Sequence, residues 1–286
     1  MKNSVITNER QIALRNRKTI TAIKYIFLIF WGIGTLFPFL WILNNSLRDN
    51  SQILGRPFLL PNPLVIQNYF TVLGSGRIPL NFLNSLIYSA CATLVTLLIS
   101  CMASYAIIRI FKSNFLFIYF IAGFMIPIHA VIIPMFIEMK ILGVLNTRLA
   151  LILLYIAGNI GFSIFVLSGF IKTIPLALEE AAIIDGASKS TVFFRIILPL
   201  CKPGLATVGT FVFLGCWNDF LGALLFASKP ELATLNLAVF SFRGLYQVDY
   251  GPMNACIVLL IIPVVIIYIL FQEQVIKGLS AGALKG

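Results

Sequence analysis

Long apolar runs, separated by polar segments of unequal length, dominate this sequence. A helix that spans a bilayer needs about 20 consecutive, mainly apolar residues. Windows of that character cover residues 25–43, 82–108, 115–137, 149–171, 204–227 and 252–272. The pattern therefore predicts an all-α polytopic membrane protein with six transmembrane helices.

The segments outside these windows predict the domain organisation and the orientation. Residues 1–24 form a basic N-terminal tail, residues 172–203 a long charged loop and residues 273–286 a C-terminal tail. If the N-terminal tail is cytoplasmic, fourteen of the 21 Lys and Arg residues lie on the cytoplasmic side and seven on the other. Cytoplasmic loops carry the excess of Lys and Arg. We therefore expect both termini and the 172–203 loop in the cytoplasm, and the 44–81 and 228–251 loops outside.

Composition narrows the class of protein further. Of the 286 residues, 59% are apolar and 11% are charged, whereas soluble domains have roughly 45–50% apolar and about 25% charged residues. This excludes an ordinary cytosolic enzyme, a secreted disulfide scaffold and a disordered tail. The basic residues are scattered between apolar runs, so no nucleic-acid partner is expected. The five cysteines form no C-x-x-C pair and are interpreted as small apolar residues, with no metal site.

Two ionisable residues within the predicted spans are candidate pathway-lining residues. His129 lies between Pro127 and Pro134, which we expect to break or bend the third span. As a proton relay His129 would need an acidic partner, and its span has none in its interior; a lining or interhelical hydrogen-bonding role is favoured. Asp219 follows Asn218 in the fifth span. Because a carboxylate there costs ~2.5–3.5 kcal/mol, it should face the bundle interior or a wet cavity, either lining the pathway with Asn218 or bonding two helices.

The loop at residues 172–203 contains a helix–turn–helix pattern. Pro175 suits the first position of a helix, and Glu179 and Glu180 lie near its positive N-terminal end. Gly186 permits a sharp turn with positive φ, after which residues 191–197 predict a second helix. The residues alone leave two interpretations open. The element is either a docking site for a partner protein or an ordinary amphipathic loop.

Several motifs in this chain resemble one particular family. The run Glu180-Ala181-Ala182-x-x-Asp185-Gly186-Ala187, followed by Ile196-x-Leu198-Pro199, resembles the EAA loop in membrane subunits of binding-protein-dependent ABC importers. Residues 142–147, 198–205 and 217–221 resemble the carbohydrate branch of that family, and residues 278–286 resemble the tail of the maltose-type second permease. The likeness extends from the first span to the C-terminal end. Residues 160–165 depart from the family pattern, so the resemblance assigns no sugar contact to the fourth span.

The resemblance implies a type I ABC importer permease fold and a set of partners. A second, non-identical permease would complete the pathway for a sugar or oligosaccharide that an extracellular or periplasmic binding protein delivers. Two cytoplasmic ATPase subunits would bind ATP and Mg, so no cofactor is expected on this chain. The resemblance assigns ATPase coupling to Glu180, Ala181, Ala182, Asp185, Gly186 and Ala187. It assigns the ATPase-interface tail to Gly278, Leu279, Ser280, Ala281, Gly282 and Gly286, and contact with the binding protein to the 228–251 loop.

Two other function classes predict different sequences. A secondary transporter predicts internal repeats and paired intramembrane carboxylates, and neither occurs here. An intramembrane enzyme predicts motifs such as H-E-x-x-H or G-x-S-x-G, and the chain also lacks the G-x-x-x-x-G-K-[ST] loop of an ATPase. We therefore expect a non-catalytic transport subunit in the cytoplasmic membrane of a prokaryotic cell, surrounded by membrane lipid and powered by another chain.

Overall fold

A computed structural model of the chain describes the backbone of residues 2–242 and 248–283, and the side chains of residues 17–242 and 248–274. Most of these residues are helical, as the apolar runs predict. The helices in chain order are α1 (Lys2–Ser46), α2 (Asn50–Gly55), α3 (Gln67–Gly74), α4 (Arg77–Tyr105), α5 (Asn114–Met125), α6 (Ile128–Ile141), α7 (Arg148–Thr173), α8 (Leu176–Ile184), α9 (Lys189–Val192), α10 (Leu198–Leu200), α11 (Lys202–Asn218), α12 (Leu221–Phe226), α13 (Leu235–Ala238) and α14 (Tyr250–Ala283). Wider π-helical turns follow α4 at Ala106–Phe111 and α9 at Phe193–Ile197.

Four stretches of the described chain are helices long and apolar enough to cross a membrane. They are Arg17–Ser46, Arg77–Phe111, Arg148–Thr173 and Tyr250–Gln274. Two further candidates are bent pairs: α5 with α6, at 94°, and Lys189–Leu200 with α11, at 73°. Counting each bent pair as one span gives up to six, the number predicted, although the second pair shares only α11 with the predicted 204–227 window.

The third and fifth predicted windows are not single helices. Residues 115–137 contain a break because Ile126 is extended (ψ 119°) ahead of Pro127, and proline disfavours a helical conformation in the residue before it. Pro134, by contrast, lies inside α6 without ending it. Residues 204–227 contain a second break, where α11 ends at Asn218 and α12 begins at Leu221.

The chain divides into two compact units, the first made of Met1–Phe70 and Asp249–Val258. Its described part is organised around Arg48, whose side chain is almost completely buried. The guanidinium donates to the carbonyls of Gln52 and Arg56, each at 2.5 Å, and to that of Pro57 at 3.2 Å. Because a buried charge must be hydrogen-bonded to be tolerated, these bonds hold the segment after α1 in a defined shape.

The second unit consists of Thr71–Val248 and Leu259–Gly286. In it α4 packs against α7 and α11. The α4 residues Ser89, Thr93, Thr96, Ser100 and Ser104 are buried. Small side chains of this kind let helix backbones approach closely in a membrane, so this row accounts for the tight packing of α4.

Residues 231–235 of the 228–251 loop are folded onto the beginning of α4. The amide of Asn84 donates to the carbonyl of Glu231 at 2.8 Å, and the Tyr88 hydroxyl donates to that of Leu232 at 3.1 Å. The hydroxyl of Ser85 accepts from the N–H of Leu235 at 2.8 Å. A short 3₁₀ turn (Pro230–Leu232) and α13 therefore have fixed positions, while residues 243–247 lie outside the described residues.

Candidate functional site

The 172–203 loop is a helix–turn–helix, as predicted. Helix α8 begins directly after Pro175, whose backbone is extended (ψ 131°), and it ends at Ile184. The second arm is longer than the predicted 191–197 stretch and runs from Lys189 to Leu200. Its first turn is capped by Ser188, whose hydroxyl accepts from the N–H of Thr191 at 3.2 Å.

The turn between the two arms is closed by backbone hydrogen bonds around Gly186. This residue has φ +86°, which confirms the predicted positive φ. Its N–H donates to the carbonyl of Ile183 at 3.0 Å, and the N–H of Ala187 donates to that of Ala182 at 2.9 Å. This pair of bonds is the Schellman motif, in which glycine adopts the left-handed conformation at low cost.

The six EAA-loop residues divide into two groups by burial. Ala182 and Ala187 are half-buried and pack against the hydrophobic core. Glu180, Ala181, Asp185 and Gly186 are exposed. The first group therefore holds the turn against the protein, and the second is free to meet another molecule.

Apolar side chains extend this exposed group along α8. Leu178 and Ile183 are each about half exposed, and Ile184 is 85% exposed. Exposed apolar residues grouped on one element, with polar residues beside them, are typical of a protein–protein contact. The exposed face of α8 is defined here as Leu178, Glu180, Ala181, Ile183 and Ile184.

Glu179 was not among the predicted site residues, yet it forms a buried ion pair. Its carboxylate is buried and lies 2.9 Å from Nε of Arg109, in the π-helical turn after α4. Adjacent residues on a helix point about 100° apart, so Glu179 and Glu180 have different surroundings. The sequence did not indicate that one of them is buried.

A cavity of about 230 Å³ lies between α6, α7 and the break that follows α11. His129 and Asp219 both line it, together with Tyr155 and Asn159. The predicted third span has no acidic residue in its interior. Asp219, at the end of α11, nevertheless lines the same cavity as His129. Asn218 is not one of the lining residues; its side chain is exposed and its carbonyl accepts from the amide of Asn236 at 2.8 Å.

Asp219 makes hydrogen bonds that hold the helix break together. Its Oδ2 accepts from the Tyr155 hydroxyl and from the N–H of Ala223, each at 2.9 Å, and its Oδ1 accepts from the N–H of Gly222 at 3.2 Å. The first N–H groups of α12 have no hydrogen-bond acceptor within the helix, and the Asp219 carboxylate is the acceptor for those of Gly222 and Ala223. The geometry thus favours the helix-bonding alternative for Asp219.

The remaining predicted residues are only partly described. Residues 278–282 continue the backbone of α14, and their side chains lie outside the described residues, as does Gly286. Among the described residues, no group of three or more His, Cys, Asp or Glu side chains is placed to hold a metal ion.

Comparison with known proteins identifies the family. Residues 97–280 match the model for the binding-protein-dependent transport system inner membrane component. The chain is 33% identical to the diacetylchitobiose uptake system permease protein NgcG of Streptomyces coelicolor, over 96% of this chain and 92% of that one. It is 36% identical to the trehalose/maltose transport system permease protein MalG of Thermococcus litoralis, over 90% of this chain and 94% of that one. The chain therefore belongs to the family of binding-protein-dependent transport system inner membrane components.

A solved structure supports the same fold. A chain of a bacterial ABC transporter that imports the acidic polysaccharide alginate superposes with a TM-score of 0.80 and 25% identity, covering 91% of this chain and 97% of that one. The predicted type I ABC importer permease fold is confirmed by this likeness.

Proposed function

We propose that this chain is a permease subunit of a carbohydrate ABC importer, and that it forms the transmembrane pathway with a second, non-identical permease. Relatives similar over nearly their whole length are named for uptake of diacetylchitobiose and of trehalose or maltose, and the similar structure belongs to an alginate importer. All of these substrates are saccharides. Since similar chains serve different saccharides, an extracellular or periplasmic binding protein sets the specificity.

The exposed face of α8 is the single observation that carries the coupling role. Leu178, Ile183 and Ile184 offer apolar surface next to Glu180, and burying such side chains contributes roughly 1.5–3 kcal/mol each. A cleft in a cytoplasmic ATPase subunit is the partner that fits this helix. ATP and Mg are bound by a pair of such subunits and not by this chain.

Nucleotide-driven closure of the ATPase pair would move α8 and switch the pathway between its inward-facing and outward-facing states. A ligand shifts a two-state equilibrium only through its different affinity for the two states. Here the ATPase dimer is the nucleotide-sensitive body, and the coupling residues are Glu180, Ala181, Asp185 and Gly186, with Ala182 and Ala187 fixing their position. The tail at residues 278–286 is proposed to reach the interface between the two ATPase subunits.

The proposed pathway contact of this subunit is the cavity that His129 lines. Its polar side chains, His129, Tyr155 and Asn159, could exchange hydrogen bonds with sugar hydroxyl groups. Asp219 acts there as the residue that orients Tyr155. Asn218 contributes through its backbone carbonyl, which holds the segment that contains Asn236.

The proposed location is the cytoplasmic membrane of a prokaryotic cell, with both termini in the cytoplasm. The excess of Lys and Arg on the side of the N-terminal tail supports this orientation. Reporter fusions test it: alkaline phosphatase fused after residue 286 should be inactive and green fluorescent protein fused there should fluoresce. The reverse pattern contradicts the orientation.

Affinity purification from native membranes in mild detergent tests the proposed assembly. We expect a tagged chain to recover an ATPase and a second permease in equal amounts. A matched variant, Ile184→Asp, places a charge on the exposed face of α8 and should lose the ATPase while keeping the second permease. Recovery of the chain alone, still active in uptake, would favour a secondary carrier.

A further inference from the structure

Arg109 joins three separate elements at the base of the 172–203 loop. Its Nη2 donates to the carbonyl of Ile171, in the last turn of α7, at 2.9 Å, and to that of Ile174, just beyond the end of α7, at 2.5 Å. Its Nε faces the Glu179 carboxylate at 2.9 Å. One guanidinium therefore connects the end of α4, the end of α7 and the buried side of α8.

Arginine suits this cluster, which is called the joint below and consists of Arg109, Glu179 and the carbonyls of Ile171 and Ile174. A guanidinium presents several N–H donors in a rigid planar fork, whereas a lysine ammonium is a compact charge on a flexible stem. The side chains of Arg109 and Glu179 are 15% and 5% exposed. The two bonds from Nη2 to the carbonyls of Ile171 and Ile174 are charge-assisted. Together with the 2.9 Å ion pair to Glu179, they leave α8 little freedom to move independently of α4 and α7.

The local backbone directs Arg109 to this position. The residue lies in the π-helical turn Ala106–Phe111, after which Lys112 adopts a left-handed conformation (φ 49°). Isolated π-helical turns are rare and are frequently found at functional sites. An ordinary α-helical continuation of α4 would turn residue 109 to a different side.

The neighbouring residues of α4 contact the second arm of the loop. The ring of Tyr105 lies 5.5 Å from that of Phe193. Cys201, where the second arm ends, is buried beside Cys101 of α4. The end of α4 is thus the common support of both arms.

We infer that Arg109 is a positioning residue for energy coupling: through Glu179 and the α7 carbonyls it transmits movement of α8 to the spans. The inference rests on the proposed function and assigns α4 and α7 as the spans that respond first. Without Arg109, α8 would still offer its exposed face to the ATPase, but its displacement would no longer move α4 and α7 together. ATP hydrolysis and the state of the pathway would then become independent.

The test uses the whole complex in lipid nanodiscs, with its cognate binding protein. The probe is whichever of diacetylchitobiose, trehalose and maltose raises the melting temperature of that binding protein most. ATP hydrolysis is measured with and without the loaded binding protein, for the wild type, Arg109→Gln, Arg109→Lys, Glu179→Gln and the control Lys112→Gln. Lys112 is an exposed cation three residues along the chain from Arg109, so the control removes a nearby charge without touching the joint.

We expect all five complexes to assemble and to hydrolyse ATP at similar basal rates. Stimulation by the loaded binding protein should fall by about tenfold in Arg109→Gln, less in Arg109→Lys and Glu179→Gln, and not in Lys112→Gln. Full stimulation in Arg109→Gln would overturn the inference while leaving the proposed function intact. Failure of both Arg109 variants to assemble would also overturn it, because Arg109 would then only support the fold. A wild-type complex that the binding protein does not stimulate would count against the proposed function instead.

Discussion

The N–H of Ala187 donates a 2.9 Å hydrogen bond to the carbonyl of Ala182 and so closes the end of helix α8. The bond runs across Gly186, whose φ of +86° reverses the chain. It presses two half-buried alanines against the core and leaves Glu180 and Ala181 outside. Within the motif, Ala182 and Ala187 therefore fix the turn against the core, and Glu180 and Ala181 remain exposed.

Gly186→Val should abolish uptake. A β-branched residue is a conformational outlier at positive φ, and nothing lies within 4 Å of the position where a Cβ would be added, so backbone strain and not crowding is the cause. Gly186→Asn is the matched control, since asparagine tolerates the left-handed region, and it should keep most of the uptake. Uptake of radiolabelled sugar into cells checks both, and normal uptake by Gly186→Val would contradict the account.

Glu180→Gln should reduce the ATPase recovered with the complex without changing the stability of the permease. Glu180 is exposed, and substitutions at such positions usually change stability by less than about 0.5 kcal/mol. Thermal unfolding of the purified chain measures the stability, and the ratio of ATPase to permease on a stained gel measures the binding. A lower melting temperature would place Glu180 in the fold and not in the docking face.

Gly222→Ala should destabilise the second unit. A Cβ at Gly222 would lie 2.6 Å from Oδ2 of Asp219 and 2.8 Å from the side chain of Leu154. Overpacking of this kind typically costs about 1–3 kcal/mol. Gly215→Ala is the control, because nothing lies within 4 Å of a Cβ added there. Equal melting temperatures for the two variants would contradict this prediction, because the segment around Asp219 would then accommodate the added methyl group without loss of stability.

Tyr155→Phe and Asp219→Asn should be coupled energetically. The hydroxyl and carboxylate share a 2.9 Å hydrogen bond, and residues in one hydrogen-bond network show interaction energies of about 0.5–3 kcal/mol. The double variant should therefore lose less stability than the sum of the single ones. Denaturant unfolding measures the free energy of unfolding of the wild type, the two single variants and the double variant. Tyr119→Phe, at an exposed tyrosine, is the control. Strict additivity would mean that the bond contributes nothing.

The features that depend on local sequence were predictable. Six apolar runs are apparent because length and hydropathy are local properties. The break at Pro127 follows from the steric effect of proline on the preceding residue. The positive φ of Gly186 follows from glycine between two helical stretches.

Features that depend on tertiary partners were not predictable. No proline stands near Asn218, and the carboxylate of Asp219, where α11 ends, accepts from Tyr155, 64 residues away, as well as from the N–H groups of Gly222 and Ala223. The partner of Glu179 is Arg109, on a different helix. Hydropathy and spacing within one segment contain no information about which distant donor a carboxylate meets.

ATP-dependent uptake in proteoliposomes tests the central claim most directly. The purified complex is reconstituted with ATP on the side of the ATPase subunits, and the sugar-loaded binding protein is added on the other side. Ionophores dissipate the proton and sodium gradients. The account predicts uptake that continues with the ionophores present and stops when ATP is replaced by a non-hydrolysable analogue. Uptake that collapses with the gradients and proceeds without ATP would contradict it.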